Sequence, residues 1–178
     1  HLKAQGLDVI VIDGVGVDDD AVAQTRAAMI EGHPIIVQGA FQLNGWVGRT
    51  DILRRIETPS DLGPWSYEVI DTKLARETKG GTVLQLCLYA ELVASVQGLT
   101  PEYSYVVAPW SDYEPQIFRM DDYAAYYRRV RDGLARAIDE HGGPEIYPDP
   151  KTHCDICRWQ DRCDQRWRAD DHLYLVAG

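Results

Sequence analysis

The chain has 178 residues, 45% hydrophobic and 26% charged, with ten tyrosines and five tryptophans. That length suits one well-packed domain, and that composition excludes disordered and fibrous classes. The formal net charge of −10 and the pI near 4.8 exclude a protein that coats nucleic acid through a general excess of lysine and arginine.

No apolar run reaches the roughly eighteen residues of a membrane helix, and no basic stretch followed by an apolar one marks secretion, so a cytoplasmic protein is expected. Net charge is a global quantity, however. Acids concentrate at Asp18, Asp19 and Asp20 and in a few loops, whereas arginines gather at 128–136 and 158–168, which leaves room for a local positive surface. The sequence opens at His1 without an initiator methionine and closes on the apolar HLYLVAG, so further residues are expected on both sides.

In chain order, LDVIVID at 7–13 predicts a short buried strand. DDDAVAQTRAAMIEG at 18–32 predicts a helix, with acids in its first turn answering the dipole and Gly32 closing it. IIVQGAFQL at 35–43 and WVGRTDILRRIE at 46–57 are strand-like runs joined by Asn44-Gly45, the strongest short signal for a tight hairpin. A loop over 58–64 leads to a strand at 65–73, WSYEVIDTK, and then to a helix over 80–98 whose middle is almost wholly apolar, as packing on a sheet requires. Strands over 103–109 and 115–120 follow, then a long amphipathic helix over 121–143 ending on glycine. From Pro144 onward the chain reads as irregular. This order predicts an α/β sandwich with a mixed central sheet flanked by helices. The core is expected over 1–143, and a cysteine-bearing, metal-binding segment over 144–178 is expected to pack on the same domain.

Alternate residues of a strand share a face, so Asp71 and Lys73 present a carboxylate beside an ammonium. Asp51, in GRTDIL, joins them if its strand is adjacent. Two converging carboxylates suit Mg²⁺ or Mn²⁺, hard ions that keep positions for water and phosphate. A water on such an ion becomes a nucleophile, and Lys73 is placed to orient it or to stabilise developing charge. The plain alternative is an ion pair at an exposed strand end. Gln85 and Tyr89 stand four residues apart on one face of the next helix, within reach of the sheet edge and a nucleic-acid backbone. Alternatively, Tyr89 packs in the core with Gln85 over it.

Near the C-terminus, Cys154, Cys157 and Cys163 form a compact C-x2-C-x5-C run, in which metal ligation is favoured over a disulfide framework. A [4Fe–4S] cluster needs a fourth thiolate. Cys87 reads as a core residue, and zinc completed by His172, or less favourably by His153, is the alternative. Arg158, Arg162, Arg166 and Arg168 interleave with Trp159 and Trp167, a mix able to grip a strand or simply to pack and solvate. Tyr123, Tyr126 and Tyr127 read as core or interface aromatics, and His33 and His141 carry no signal.

GRTDIL, EVIDTK and QLCLYA, in this order and spacing, resemble the motifs of the RecB-like branch of the PD-(D/E)xK nuclease superfamily. The C-terminal cysteines resemble those of its iron–sulfur members, including CRISPR-associated exonucleases. The resemblance runs from about Gln38 to the end. It implies a restriction-endonuclease-like core and a metal-dependent deoxyribonuclease of repair, recombination or defence. Asp51 and Asp71 would be ligands of Mg²⁺ or Mn²⁺, Lys73 the catalytic lysine, and Gln85 with Tyr89 a DNA-contacting pair. Cys154, Cys157 and Cys163 would hold a structural cluster whose fourth cysteine lies upstream of residue 1.

The family's metal-binding histidine on an N-terminal helix is expected upstream as well, with His1 as the alternative. His1 is followed by Leu2 where the family often has glutamate, and it lies close to Gly6. DDHLYLVAG resembles a multidomain subgroup, so further domains and DNA, single-stranded or end-bearing, are the expected partners. A non-catalytic nucleic-acid-binding or scaffold module with a zinc or iron–sulfur site is the rival reading, and a zinc-stabilised hydrolase of another phosphoester is a third.

Overall fold

The computed structural model describes residues 8–74, 78–139 and 147–176. Among them, six strands form one mixed sheet: β1 (Val9–Val11), β2 (Ile35–Leu43), β3 (Trp46–Ile56), β4 (Ser66–Thr72), β5 (Tyr103–Val107) and β6 (Gln116–Arg119), side by side in sequence order. Four helices accompany them: α1 (Asp19–Glu31), α2 (Gly80–Gln97), α3 (Met120–Asp139) and α4 (Gln160–Ala169). β1 and β2 are parallel, as are β4 and β5, and the remaining neighbours are antiparallel. The two parallel pairs are the places where a helix, α1 or α2, makes the crossover. The α/β class and the mixed sheet are therefore as expected, and no described helix is long and apolar enough to cross a membrane.

Local chemistry explains the element ends. Asp18 accepts the Ala21 N–H at 2.8 Å and caps α1, a contact worth about 1 kcal/mol. Gly32 closes the helix in the left-handed region at φ 76°. Asn44 and Gly45 both take positive φ, 49° and 81°, the backbone that a two-residue hairpin between Leu43 and Trp46 demands.

Two buried side chains fix the helices on the sheet. Thr25 of α1 donates to the Ala21 carbonyl and accepts the Ala40 N–H of β2, both at 2.8 Å. Gln97, fully buried at the end of α2, accepts the Tyr67 N–H at 2.8 Å and donates to the carbonyls of Tyr67 and Leu99 at 3.3 and 2.8 Å. Losing such a partner costs about 1–3 kcal/mol for each buried group left unpaired. Gln97 thus anchors the C-terminal end of α2 at the start of β4. One apolar core gathers Met29 of α1, Ile36 and Phe41 of β2, Leu53 of β3, Val69 of β4 and Leu86, Leu92 and Val93 of α2.

The chain divides into two units, residues 1–132 and 133–178. In the second, the structure corrects the expectation of an irregular segment, because α4 runs over ten residues and is followed by a short turn of 3-10 helix at Leu173–Val176. QDRCDQRWRA has no apolar stripe, which is why pattern reading misses it. Arg166 pairs with Asp170 four residues on at 2.8 Å, and one buried anchor, Trp167, donates to the Pro148 carbonyl at 2.9 Å and packs on Tyr174. The expected glycine end of the helix over 121–143 lies outside the described residues, as does His141.

Candidate active site

The site forms where the β3–β4 ladder stops. Paired residues run from Ile56↔Ser66 to Ile52↔Ile70, and the next position along each strand is an aspartate, Asp51 or Asp71. Extending the neighbouring registers by one residue puts Ile12, Gln38, Asp51, Asp71 and Val106 in a single row across the sheet.

Asp51 turns its carboxylate onto β4. Its Oδ2 accepts the Thr72 N–H at 2.7 Å and the Thr72 hydroxyl at 2.6 Å, so a side chain replaces the backbone partner that Thr72 would have had in a longer ladder. Asp71 is buried, 2% exposed, and its Oδ2 lies 2.7 Å from Lys73 Nζ. That oxygen is ion-paired but makes no aligned hydrogen bond. Lys73 Nζ also donates to Gln85 Oε1 at 3.1 Å, and Gln85 Nε2 donates to the Tyr89 hydroxyl at 2.7 Å. The chain Asp71–Lys73–Gln85–Tyr89 therefore links β4 to α2.

Tyr89 comes this close because Gly48 of β3 has no side chain. A Cβ there would meet Leu92 Cδ1 at 2.6 Å and the Tyr89 ring at 3.0 Å. Asp51, Asp71, Lys73, Gln85 and Tyr89 are thus brought together, but the pair on α2 is arranged differently from a surface reader of nucleic acid. Tyr89 is 7% exposed and belongs to the core, while Gln85 is half-buried beside the lysine. Cys87 is buried in the same core, and burial raises its thiol pKa, as a small apolar residue would behave. Thr72, Gly48, Arg49 and Gln38 also build the site. Gly48 and Arg49 lie within GRTDIL and Thr72 within EVIDTK, but nothing in the sequence gives any of them, or Gln38, a role.

Burial pushes the Asp71 carboxyl above its ordinary range. The Lys73 ammonium pulls it back, and the Asp51 charge adds to the rise. Burial also raises the Tyr89 phenol, so it remains a neutral hydroxyl. Two carboxylates presenting hard oxygens, one with a buried oxygen short of hydrogen bonds, form a donor set that fits Mg²⁺ or Mn²⁺ supplemented by water or phosphate oxygens. No group of three or more His, Cys, Asp or Glu side chains converges on a metal position among the described residues. His1 lies outside them.

The three cysteines likewise converge on no metal position among the described residues. Cys154 lies in and Cys157 just after a 3-10 turn over Thr152–Ile156, and Cys163 is on α4; all three are free and half-buried. Cys154 Sγ accepts the Lys151 N–H at 3.3 Å. His172 Nδ1 accepts the Tyr174 N–H at 3.2 Å, and its ring lies on Tyr147. Of the interleaved aromatics, Trp167 is a packing residue, whereas Trp159 stays half-exposed under the Arg158 guanidinium, 5.0 Å from its ring centre. Tyr127 is core, and Tyr126 is exposed.

Because the Asp71 pKa is raised above 3.8, the folded chain retains a proton that the unfolded chain has already released between those two values, and stability falls as pH rises through that window. In EDTA, Asp71→Asn should therefore gain thermal stability relative to the unchanged protein as pH rises from about 4 towards neutrality. Melting temperatures that keep a constant difference across that range would contradict the assignment.

No curated protein shows significant similarity to the chain. Residues 17–164, which contain β2 to β6, all the residues of the acid–lysine site and the three clustered cysteines, match the PD-(D/E)XK nuclease superfamily. The chain belongs to the PD-(D/E)XK nuclease superfamily.

Proposed function

We propose that this is a metal-dependent deoxyribonuclease domain that hydrolyses phosphodiester bonds at the Asp51–Asp71–Lys73 site, on a core of the restriction-endonuclease kind. The observation that carries the reading is the meeting of two carboxylates and one ammonium at the end of a strand ladder, with a buried carboxylate oxygen still short of hydrogen bonds. Asp51 and Asp71 are the residues that would hold Mg²⁺ or Mn²⁺. Such an ion supplies activation of a water and screening of phosphate charge.

The chain's own residues do the rest. The Asp71 charge and the Gln85 amide oxygen hold the Lys73 ammonium at 2.7 and 3.1 Å, and leave it N–H donors for a phosphate oxygen as negative charge builds. The ammonium has only donors, so Gln85 must turn Oε1 to it, and Tyr89 accepts from the Nε2 that this orientation directs at the phenol. Gln85, half-buried, is then the member of the pair able to touch DNA, and Tyr89 acts through it.

Single-stranded or end-bearing DNA is the proposed substrate, in repair, recombination or defence, with further domains as partners. Cys154, Cys157 and Cys163 are proposed to hold a structural [4Fe–4S] cluster with a cysteine from elsewhere in the protein, zinc being the alternative. The support is the compact spacing, three thiols that form no disulfide with one another, and the resemblance of this run to that of the iron–sulfur members.

Lys73→Ala should lower Mn²⁺-dependent cleavage of single-stranded DNA by about 10²–10³-fold. Equal rates in the two proteins would remove Lys73 from the chemistry, and no cleavage by either would favour a binding module. The protein prepared anaerobically should contain iron and show a visible charge-transfer band that Cys163→Ser abolishes. A colourless protein containing zinc would replace the cluster with the alternative metal.

A further inference from the structure

We infer that Gln38 and Arg49 are positioning residues that hold Asp51 in its working orientation, an inference that rests on the proposed nuclease site. Gln38 stands opposite Asp51 in the β2–β3 register, and it is the position at which that ladder skips a pair. It takes φ 60°, a left-handed backbone that costs a non-glycine residue about 1–2 kcal/mol. At the same level the buried face of β3 changes parity. Gly48 and Thr50 are buried before Asp51, and Leu53 is buried after it, so the strand is crooked at the aspartate. A regular strand here would keep Asp51 in the β2 ladder. The crook lets its carboxylate swing onto Thr72 of β4.

Arg49 holds that crook. Its Nε donates to Gln38 Oε1 at 3.2 Å, its NH2 group to the carbonyls of Ile12 and Asp13 at 2.8 and 3.2 Å, and its NH1 group to the Gly16 carbonyl at 2.5 Å. One guanidinium thus ties β3, the strained residue of β2 and the β1–α1 loop together two residues before Asp51. Four acceptors in a fork-shaped arrangement demand arginine, and lysine cannot span them. Strain kept at a residue that faces a metal-ligand candidate, and fastened by a dedicated side chain, is the pattern of a site held ready rather than of a loop simply tied down.

Gln38→Gly separates these two roles. Glycine adopts φ 60° without strain, so the melting temperature in EDTA should not fall, whereas the Arg49 anchor is lost. Binding of Mn²⁺ alone, measured by calorimetry, should weaken by about tenfold, and Arg49→Lys should weaken it similarly. Mn²⁺ binding unchanged in both variants would overturn the inference, as would a Gln38→Gly protein that loses stability and affinity together. If the unchanged protein neither binds Mn²⁺ nor cleaves DNA, the nuclease reading itself fails. If it does both while the variants match it, only the positioning role fails.

Discussion

A carboxylate buried at the end of β4, answered by a single ammonium and facing a second carboxylate across the strand gap, is the constraint on which the site depends. Burying an ionised carboxyl costs folding energy unless it is paired and hydrogen-bonded. Asp71 has the pair, Lys73 at 2.7 Å, but not a full set of hydrogen bonds, and the like charge of Asp51 raises its pKa further. The local balance therefore favours a proton or a cation. A fold that retains such an arrangement gives up stability at a position where an apolar pair would pack well, and the recurring reason for this is chemistry.

The sheet creates this geometry by ending its ladders in the right places. β3 and β4 pair up to Ile52↔Ile70 and then part, leaving Asp51 and Asp71 on the first unpaired rung. Gln97 fastens one end of α2 to Tyr67 at the start of β4, and Gly48 lets Tyr89 settle against β3, so Gln85 arrives beside Lys73 at the other end. The placement of the two aspartates and the lysine's orientation thus rest on three different elements, β3, β4 and α2.

Much of this was legible in the sequence. Asn44-Gly45 announced its hairpin because only that turn chemistry accepts two positive φ values, and the alternation in EVIDTK put Asp71 and Lys73 on one face because strand geometry leaves no other choice. The apolar middle of α2 announced its burial. What was not legible were departures from regularity. Nothing in the residue type marks Gln38 as left-handed, since glutamine has no preference for that region, and the crook it creates is a property of the β2–β3 pair. The role of Arg49 depends on three carbonyls supplied from 33 to 37 residues away in the chain. Tyr89 looked like a surface reader because helical spacing gives a face but not the depth at which it sits. In α4 a single tryptophan and an i, i+4 ion pair stand in for an apolar stripe, which periodicity cannot detect.

The central claim is that Asp51 and Asp71 together form one divalent-cation site. A crystal of the protein equilibrated with Mn²⁺ tests it most directly through the metal's anomalous scattering. A peak beside the Asp51 and Asp71 carboxylates is expected, lost in crystals of Asp71→Asn. A peak elsewhere on the chain, with the Asp51–Asp71 gap empty at saturating Mn²⁺, would contradict it.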